Sequence, residues 1–381
     1  MTKRKVMVVT ATRAEYGLLK NTIKAIEKSD YLQLILIVTG MHMSKQYGET
    51  WREIEEDGFS IDEKISIIAK DRNQLEEMAV LQIELSKIFQ KYKPDILLLL
   101  GDRYEILAAA SAAVVMKVPI AHISGGESTE GAMDEQIRHA ITKMAHIHFP
   151  GAKEYGENIR KMGEEEWRIH LVGDPGIENI KKTDFMSQED VLNDIGVMVD
   201  EKTLLITFHP VTLEVEKTEY YMSQLISALD KYDGNMIITY PNSDPGNEII
   251  ISMWNEFADC HPNVYLTKSL GIRRYLSVMK LCGAVVGNSS SAIVEAPFFK
   301  IPVVNIGNRQ LGRMLANNII ETNYDKESIN SAINKCLSKE FREYVKDTKS
   351  MYGEGNTSQE IVKVLQTISI DEKLMKKKLC Y

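Results

Sequence analysis

The stretch "DILLLLGDRYEILAAASAAVVMKVPIAHIS" (Asp95–Ser124) decides the fold. Ile96–Leu100 is apolar without a break, which fits a strand buried on both faces and not a strand with one wet face. Gly101 ends it, an Ala-rich helix over 104–117 follows, and "PIAHIS" (119–124) is a second short apolar strand. Strand, helix and strand in direct succession predict a parallel, doubly wound α/β sheet.

The same alternation extends outward. "KVMVVT" (5–10) and "LQLILIVTG" (32–40) precede it, the second followed by a helix candidate at 48–57. A long helical pattern occupies 73–92, and strands at 147–150 and 168–173 come after. The pattern then restarts with "TLLITFHP" (203–210), "NMIITYP" (235–241), "NVYLTKS" (263–269), "GAVVGNSS" (283–290) and "IPVVNIG" (301–307). The polar segment from about 174 to 202 reads as a linker. We therefore expect two Rossmann-like domains, 1–174 and 175–355, with a central cleft facing the carboxyl ends of both sheets. A helix at 356–366 and the basic tail "KLMKKKLCY" form a last segment, 356–381, expected to pack back on the first domain. The tail's charges read as solvated and not as a membrane or nucleic-acid site.

The 381 residues carry a formal net charge of −8, with 44% hydrophobic and 26% charged residues. This balance excludes a general polyanion partner such as nucleic acid. The basic start has too short an apolar run for a signal peptide or a membrane span, so a cytoplasmic protein is expected. The four cysteines, Cys260, Cys282, Cys336 and Cys380, form no C-x-x-C pair, so neither a zinc cluster nor a disulfide framework is predicted. No P-loop or G-x-G-x-x-G is present, which argues against NAD or a free nucleoside triphosphate.

The polar residues sit where strands end. Arg13 lies at the first strand-to-helix turn, where free N–H groups favour an anion. Asp102 and Arg103 end a buried strand and must be paired or presented to a pocket, because an unpaired charge there is costly. Glu127, Asp134 and Arg138 on the neighbouring connection converge with them, which can split carboxyl pKa values into an acid and a base. An ordinary Asp134–Arg138 helix pair is the alternative. In the second half, Gly287, Asn288, Ser289 and Ser290 offer small hydroxyls and backbone N–H groups to a diphosphate, with Arg309 adding charge. Glu295 suits a ribose diol. His209 can donate to a phosphate or move a proton, and Asn242 can orient a sugar or phosphate oxygen.

Taken together, "TRAEYG", "TGMH", "GDRYE", "GGE…GAMDEQIRHAITKM", "FHP", "YPNSD", "GNSS…E" and "NIGNRQ" resemble the hydrolysing UDP-N-acetylglucosamine 2-epimerases, in order over about residues 5–315. The resemblance implies a glycosyltransferase-B-type fold and an EC 3.2.1-type activity that needs neither metal nor organic cofactor. UDP is eliminated to a 2-acetamidoglycal, and water then adds with inversion at C2 to release N-acetylmannosamine for sialic-acid-type sugars. It implies proton transfer or water activation by Asp102 and Asp134, and sugar orientation by Arg103, Arg138 and His42. It also implies that His209 assists UDP departure, that Arg13, Ser289, Ser290 and Arg309 hold the diphosphate, and that Glu295 holds the ribose, with Asn242 nearby. Many members of the family have a Glu where this chain has Ser124, so the resemblance implies either that Glu127 or Glu130 takes its task or that this subgroup divides the acid–base work differently. A related subgroup acts on UDP-N,N′-diacetylbacillosamine in legionaminic-type pathways, and substrate identity stays open between the two. A homodimer or homotetramer is implied by the resemblance alone. Competing readings are a non-hydrolysing epimerase, a glycosyltransferase of the same fold, and a UDP-sugar sensor without turnover.

Overall fold

The computed structural model describes residues 3–45, 48–69, 71–128, 133–211, 214–241 and 246–380. The chain divides into two compact units, Met1–Asn179 with Tyr352–Tyr381, and Ile180–Met351.

The first unit is built on β1 (Arg4–Thr10), β2 (Leu32–Val38), β3 (Glu63–Lys64), β4 (Ile96–Leu100), β5 (Ile120–Ile123) and β6 (Ile147–Phe149). All neighbours are parallel, in the order β3-β2-β1-β4-β5-β6. The unbroken apolar runs have the reason anticipated: alternate residues of β1 feed two different apolar layers. Met7 and Val9 pack with Leu81, Leu85 and Ala109 from helices Gln74–Tyr92 and Tyr104–Val115. Val6 and Val8 pack with Leu19 and Ile23 of helix Arg13–Glu27 and with Ile361 and Leu365 of helix Thr357–Thr367.

The second unit repeats the plan with β7 (Leu204–Thr207), β8 (Met236–Thr239), β9 (Val264–Thr267), β10 (Ala284–Gly287), β11 (Val303–Ile306) and β12 (Ile319–Thr322). Its order is β12-β11-β10-β7-β8-β9, again all parallel. Counted from each unit's own first strand, both sheets have the doubly wound order 3-2-1-4-5-6, with the topological switch between strands 1 and 4. Among the described residues no helix is long and apolar enough to cross a membrane.

Four local expectations differ. Edge strands β3 and β12 are too short or too exposed to give a buried-strand signal. Residues 168–173 form no strand, only an isolated bridge from His148 to Ile169. The polar segment after Asp174 carries helices Pro175–Lys182 and Gln188–Ile195, which bury Ile177, Ile180 and Val191 beneath charged faces. The basic tail is not simply solvated. Lys377 donates to the carbonyls of Lys143 and Ala145 and pairs with the buried Glu164 at 2.9 Å. Arg168, fully buried, clamps the same segment through the carbonyls of Lys373, Leu374 and Lys376.

Candidate active site

In the first unit the chemistry gathers beyond β4 and β5. Asp102 follows β4, and the guanidinium of Arg138, only 6% exposed, pairs with its carboxylate. Arg138 comes from helix Met133–Met144; it also donates to the Glu127 carbonyl at 3.0 Å and pairs with Glu135 at 3.4 Å. Glu135 in turn accepts from His139 at 2.9 Å and Ser128 at 3.3 Å. Asp134 is exposed at the start of this helix. Partial desolvation first, and the negative charge of Asp102 second, hold its carboxyl above the ordinary range, against the lowering pull of Arg138 and Arg103. The structure thus joins Asp102, Arg138 and Asp134 in one electrostatic group, with Glu127 attached through its backbone. Glu130 lies outside the described residues. Ser124 starts the connecting loop at φ 62°, a left-handed conformation that a non-glycine residue adopts at a cost of about 1 kcal/mol.

Arg103 faces the neighbouring strand end. Its guanidinium grips Glu105 through two 3.0 Å bonds, and Glu105 has no exposed surface. The fork fixes the arginine's plane and leaves part of it accessible, as a ligand-orienting cation requires. Beside this pair Glu15 closes the capping box of helix Arg13–Glu27, its Oε2 accepting the amides of Ala11 at 3.0 Å and Thr12 at 2.9 Å. Its Oε1 is buried without a partner. Burial, with the charge of Glu105 behind it, pushes the Glu15 carboxyl from 4.5 up to about 7. Sequence reading missed both Glu15 and Glu105, because each resembles an ordinary residue of a helix's first turn.

A pH effect follows from Glu15. A carboxyl whose folded pKa is raised favours the folded state below its unfolded value, and that contribution is lost as pH rises through the folded value. The window here runs from pH 4.5 to about 7. Glu15→Gln should therefore be more stable than the native chain at pH 8, relative to their difference at pH 4, by roughly 2–3 kcal/mol. Urea unfolding at both pH values checks this, and a variant with unchanged pH dependence contradicts it.

Two other anticipated residues sit apart from the acidic group. His42 is fully buried, with Nε2 at 3.2 Å from the Thr10 hydroxyl and Nδ1 at 2.8 Å from that of Thr50. Burial holds its pKa at about 4, so it is a neutral connector between β1 and the segment after β2. Arg13 is exposed at the first turn of its helix and pairs with Glu53 at 2.9 Å.

The second unit places its polar residues at the corresponding switch between β7 and β10. Asn288 is fully buried; its Oδ1 accepts from the His209 amide at 2.7 Å, and its Nδ2 donates to the His209 carbonyl at 2.9 Å. The side chain of Asn288 is therefore spent on fixing the backbone of His209. The Asn288 carbonyl receives Arg309 at 3.2 Å and Gln310 at 2.8 Å, and Gln310, though inside the "NIGNRQ" motif, had no role assigned to it. Gly287 has φ 139°, and a Cβ there would lie 1.9 Å from the Thr207 carbonyl oxygen, so only glycine lets the two strand ends meet. Ser289 caps helix Ser290–Val294 by accepting from Ser291, while Ser290 is exposed. That helix has only five residues, so any anion cradle rests on local amides and hydroxyls more than on a long dipole. Glu295 lies at the break before the next helix, Ala296–Phe299, and receives the Ser291 hydroxyl. Asn242 lies outside the described residues.

Two doubly wound units of one strand order, each gathering charged and polar groups at its switch point, define a fold of the glycosyltransferase-B type. The sequence model described as UDP-N-acetylglucosamine 2-epimerase matches residues 24–366. The chain is 38% identical over 350 residues, 90% of each chain, to the GDP/UDP-N,N′-diacetylbacillosamine 2-epimerase (hydrolyzing) of Campylobacter jejuni. It is 35% identical over 378 residues, 98% of each chain, to the UDP-N,N′-diacetylbacillosamine 2-epimerase (hydrolyzing) of Legionella pneumophila. The fold matches the crystal structure of UDP-GlcNAc 2-epimerase from Neisseria meningitidis bound to UDP-GlcNAc, with TM-score 0.75 and 19% identity, covering 95% of this chain and 99% of that one. This chain belongs to the UDP-N-acetylglucosamine 2-epimerase family.

Proposed function

We propose that the protein is a hydrolysing UDP-sugar 2-epimerase that turns a UDP-linked 2-acetamido sugar and water into UDP and the free manno-configured sugar. The observation that carries this reading is the acidic group of the first unit: a carboxylate paired with a buried arginine, beside a second carboxyl raised by partial desolvation and then by that carboxylate's charge. Elimination breaks the C2–H bond and the C1–O bond to UDP while forming C1=C2, and so needs a base at C2 and help for a leaving dianion. Hydration adds water at C1 and a proton to the opposite face of C2, and so needs an acid and a base again. Asp102 and Asp134 are assigned these proton transfers, with Glu127 on the connecting loop as a further carboxyl. Arg103 and Arg138 orient the sugar. His209 assists departure of UDP, Ser289, Ser290 and Arg309 with Arg13 hold the diphosphate, and Glu295 holds the ribose. The bond cleaved makes it an EC 3.2.1-type hydrolase, working in the cytoplasm as a homo-oligomer.

Similarity to the two bacillosamine-named relatives favours UDP-N,N′-diacetylbacillosamine, giving 2,4-diacetamido-2,4,6-trideoxymannose for legionaminic-type sugars. UDP-N-acetylglucosamine, giving N-acetylmannosamine, is the second reading, supported by the family match. Measuring kcat/KM for UDP release from both compounds decides. We expect UDP-N,N′-diacetylbacillosamine to be preferred by at least tenfold, since a site built around an amide rejects a substrate lacking it strongly. Equal rates or the reverse order select the second reading, and no UDP from either compound overturns the proposal.

A further inference from the structure

The geometry around Asp102 depends on a residue that the proposed chemistry does not use. His122 lies in β5, fully buried, with its Nε2 2.8 Å from the carbonyl oxygen of Gly101. A carbonyl only accepts, so Nε2 carries the proton and Nδ1 is left as an acceptor. The hydroxyl of Thr142, also fully buried, lies 3.3 Å from that Nδ1 and 2.9 Å from the carbonyl of Arg138. Its single proton therefore has two acceptors, one on His122 and one on the backbone that carries Arg138. The bridge runs Gly101–His122–Thr142–Arg138 and ends at the two residues that form the ion pair: Asp102 directly follows Gly101, and Arg138 is itself the last member. The amide of Gly101 adds a second tie by donating to the Ile123 carbonyl at 3.2 Å. The glycine loop is seated on the same bridge, since a Cβ on Gly125 would lie 2.9 Å from both His122 Nδ1 and Thr142 Oγ1.

We infer that His122 is a positioning residue: with Thr142 it sets the Gly101–Asp102 turn and helix Met133–Met144 in mutual register, so that Asp102 and Arg138 meet in the geometry that proton transfer needs. This rests on the reading of Asp102 as a proton-transfer group. Any buried histidine needs partners on both ring nitrogens; what sets this one apart is that its partners lie on Gly101, which precedes Asp102, and on Thr142, which shares its helix with Arg138. Burial keeps the imidazole neutral, with its pKa at about 3, and the Gly101 carbonyl holds the proton on Nε2.

The test compares steady-state UDP release, and UDP affinity by calorimetry, for His122→Phe, His122→Gln, Thr142→Val and Asp102→Asn. His122→Phe keeps an aromatic ring and loses both hydrogen bonds, and we expect kcat to fall about 10- to 100-fold, as small misplacements of reacting groups do. KM and the UDP dissociation constant should stay within threefold, because nothing in the nucleotide half is touched. His122→Gln, which can place an amide N–H toward Gly101, should recover part of the loss. Thr142→Val should lower kcat by several-fold, and the double variant His122→Phe/Thr142→Val should be no worse than His122→Phe alone, because members of one bridge do not add. Loss of thermal stability with native kcat in His122→Phe overturns the inference. If that variant fails to fold, Thr142→Val decides by itself, and native kcat there overturns it equally. An inactive Asp102→Asn beside fully active His122 and Thr142 variants would sink the bridge and leave the proposed function standing. A fully active Asp102→Asn would take Asp102 out of the proton transfers and remove the ground of this inference, while absence of UDP release from the native protein is what would overturn the proposed function.

Discussion

Asp102→Asn should lower kcat for UDP release by about 10³-fold while the protein stays folded and keeps its affinity for UDP within threefold. The amide oxygen of Asn still accepts from Arg138, so the local frame survives, but it no longer takes or carries a proton. General acid–base groups are worth roughly 10²–10⁴ in rate, and here the loss of charge also alters Asp134, whose carboxyl is raised in part by Asp102. Relieved of that neighbour, Asp134 should titrate at lower pH, so the residual activity should show its acid limb displaced downward. A variant with a tenth or more of native kcat and an unmoved pH profile would remove Asp102 from the chemistry.

The largest expected effect on stability lies far from that chemistry. Glu164 is 1% exposed and takes Lys143 at 2.5 Å, Lys377 at 2.9 Å and His148 at 3.1 Å. Burial alone would raise its pKa, but the hydrogen bonds from His148, Lys143 and Lys377 outweigh that and bring it down to about 2. The sign is therefore that of a depressed carboxyl: its stabilisation is present above pH 4.5 and fades as pH falls toward 2. Glu164→Ala strands these donors and should cost about 3–5 kcal/mol at pH 7. Since Lys377 is one of them, the C-terminal segment should loosen first, and limited proteolysis should cut after Lys376 or Lys377 in the variant well before the native chain. An unchanged midpoint and an uncut tail would show that Arg168 holds the segment without help.

How much of this was legible in the sequence follows from which signals physics writes locally. Ile96–Leu100 and Val6–Val9 announce themselves because a strand covered on both faces has no polar position. β3, two residues long, and β12, only half-buried, have no such constraint and were unreadable. Strand-end charges such as Asp102 and Arg103 were legible as a site, since burial beside four leucines demands a partner. What could not be read was who the partner is. Arg103 takes Glu105, two residues on, and Asp102 takes Arg138, although Asp134–Arg138 was the pairing that helix spacing suggested. Asn288 shows the same limit from the other side: its side-chain amide is committed to the His209 backbone, a pairing with no local signature. Such commitments depend on parallel register between strands many residues apart, which no short motif records.

The measurement that tests the central claim most directly is a proton NMR time course of the purified protein in deuterated buffer, with UDP-N,N′-diacetylbacillosamine in one tube and UDP-N-acetylglucosamine in another. Free UDP should appear together with a manno-configured sugar carrying deuterium at C2, from one of them. A UDP-sugar that gains deuterium or epimerises while still linked to UDP would contradict that claim.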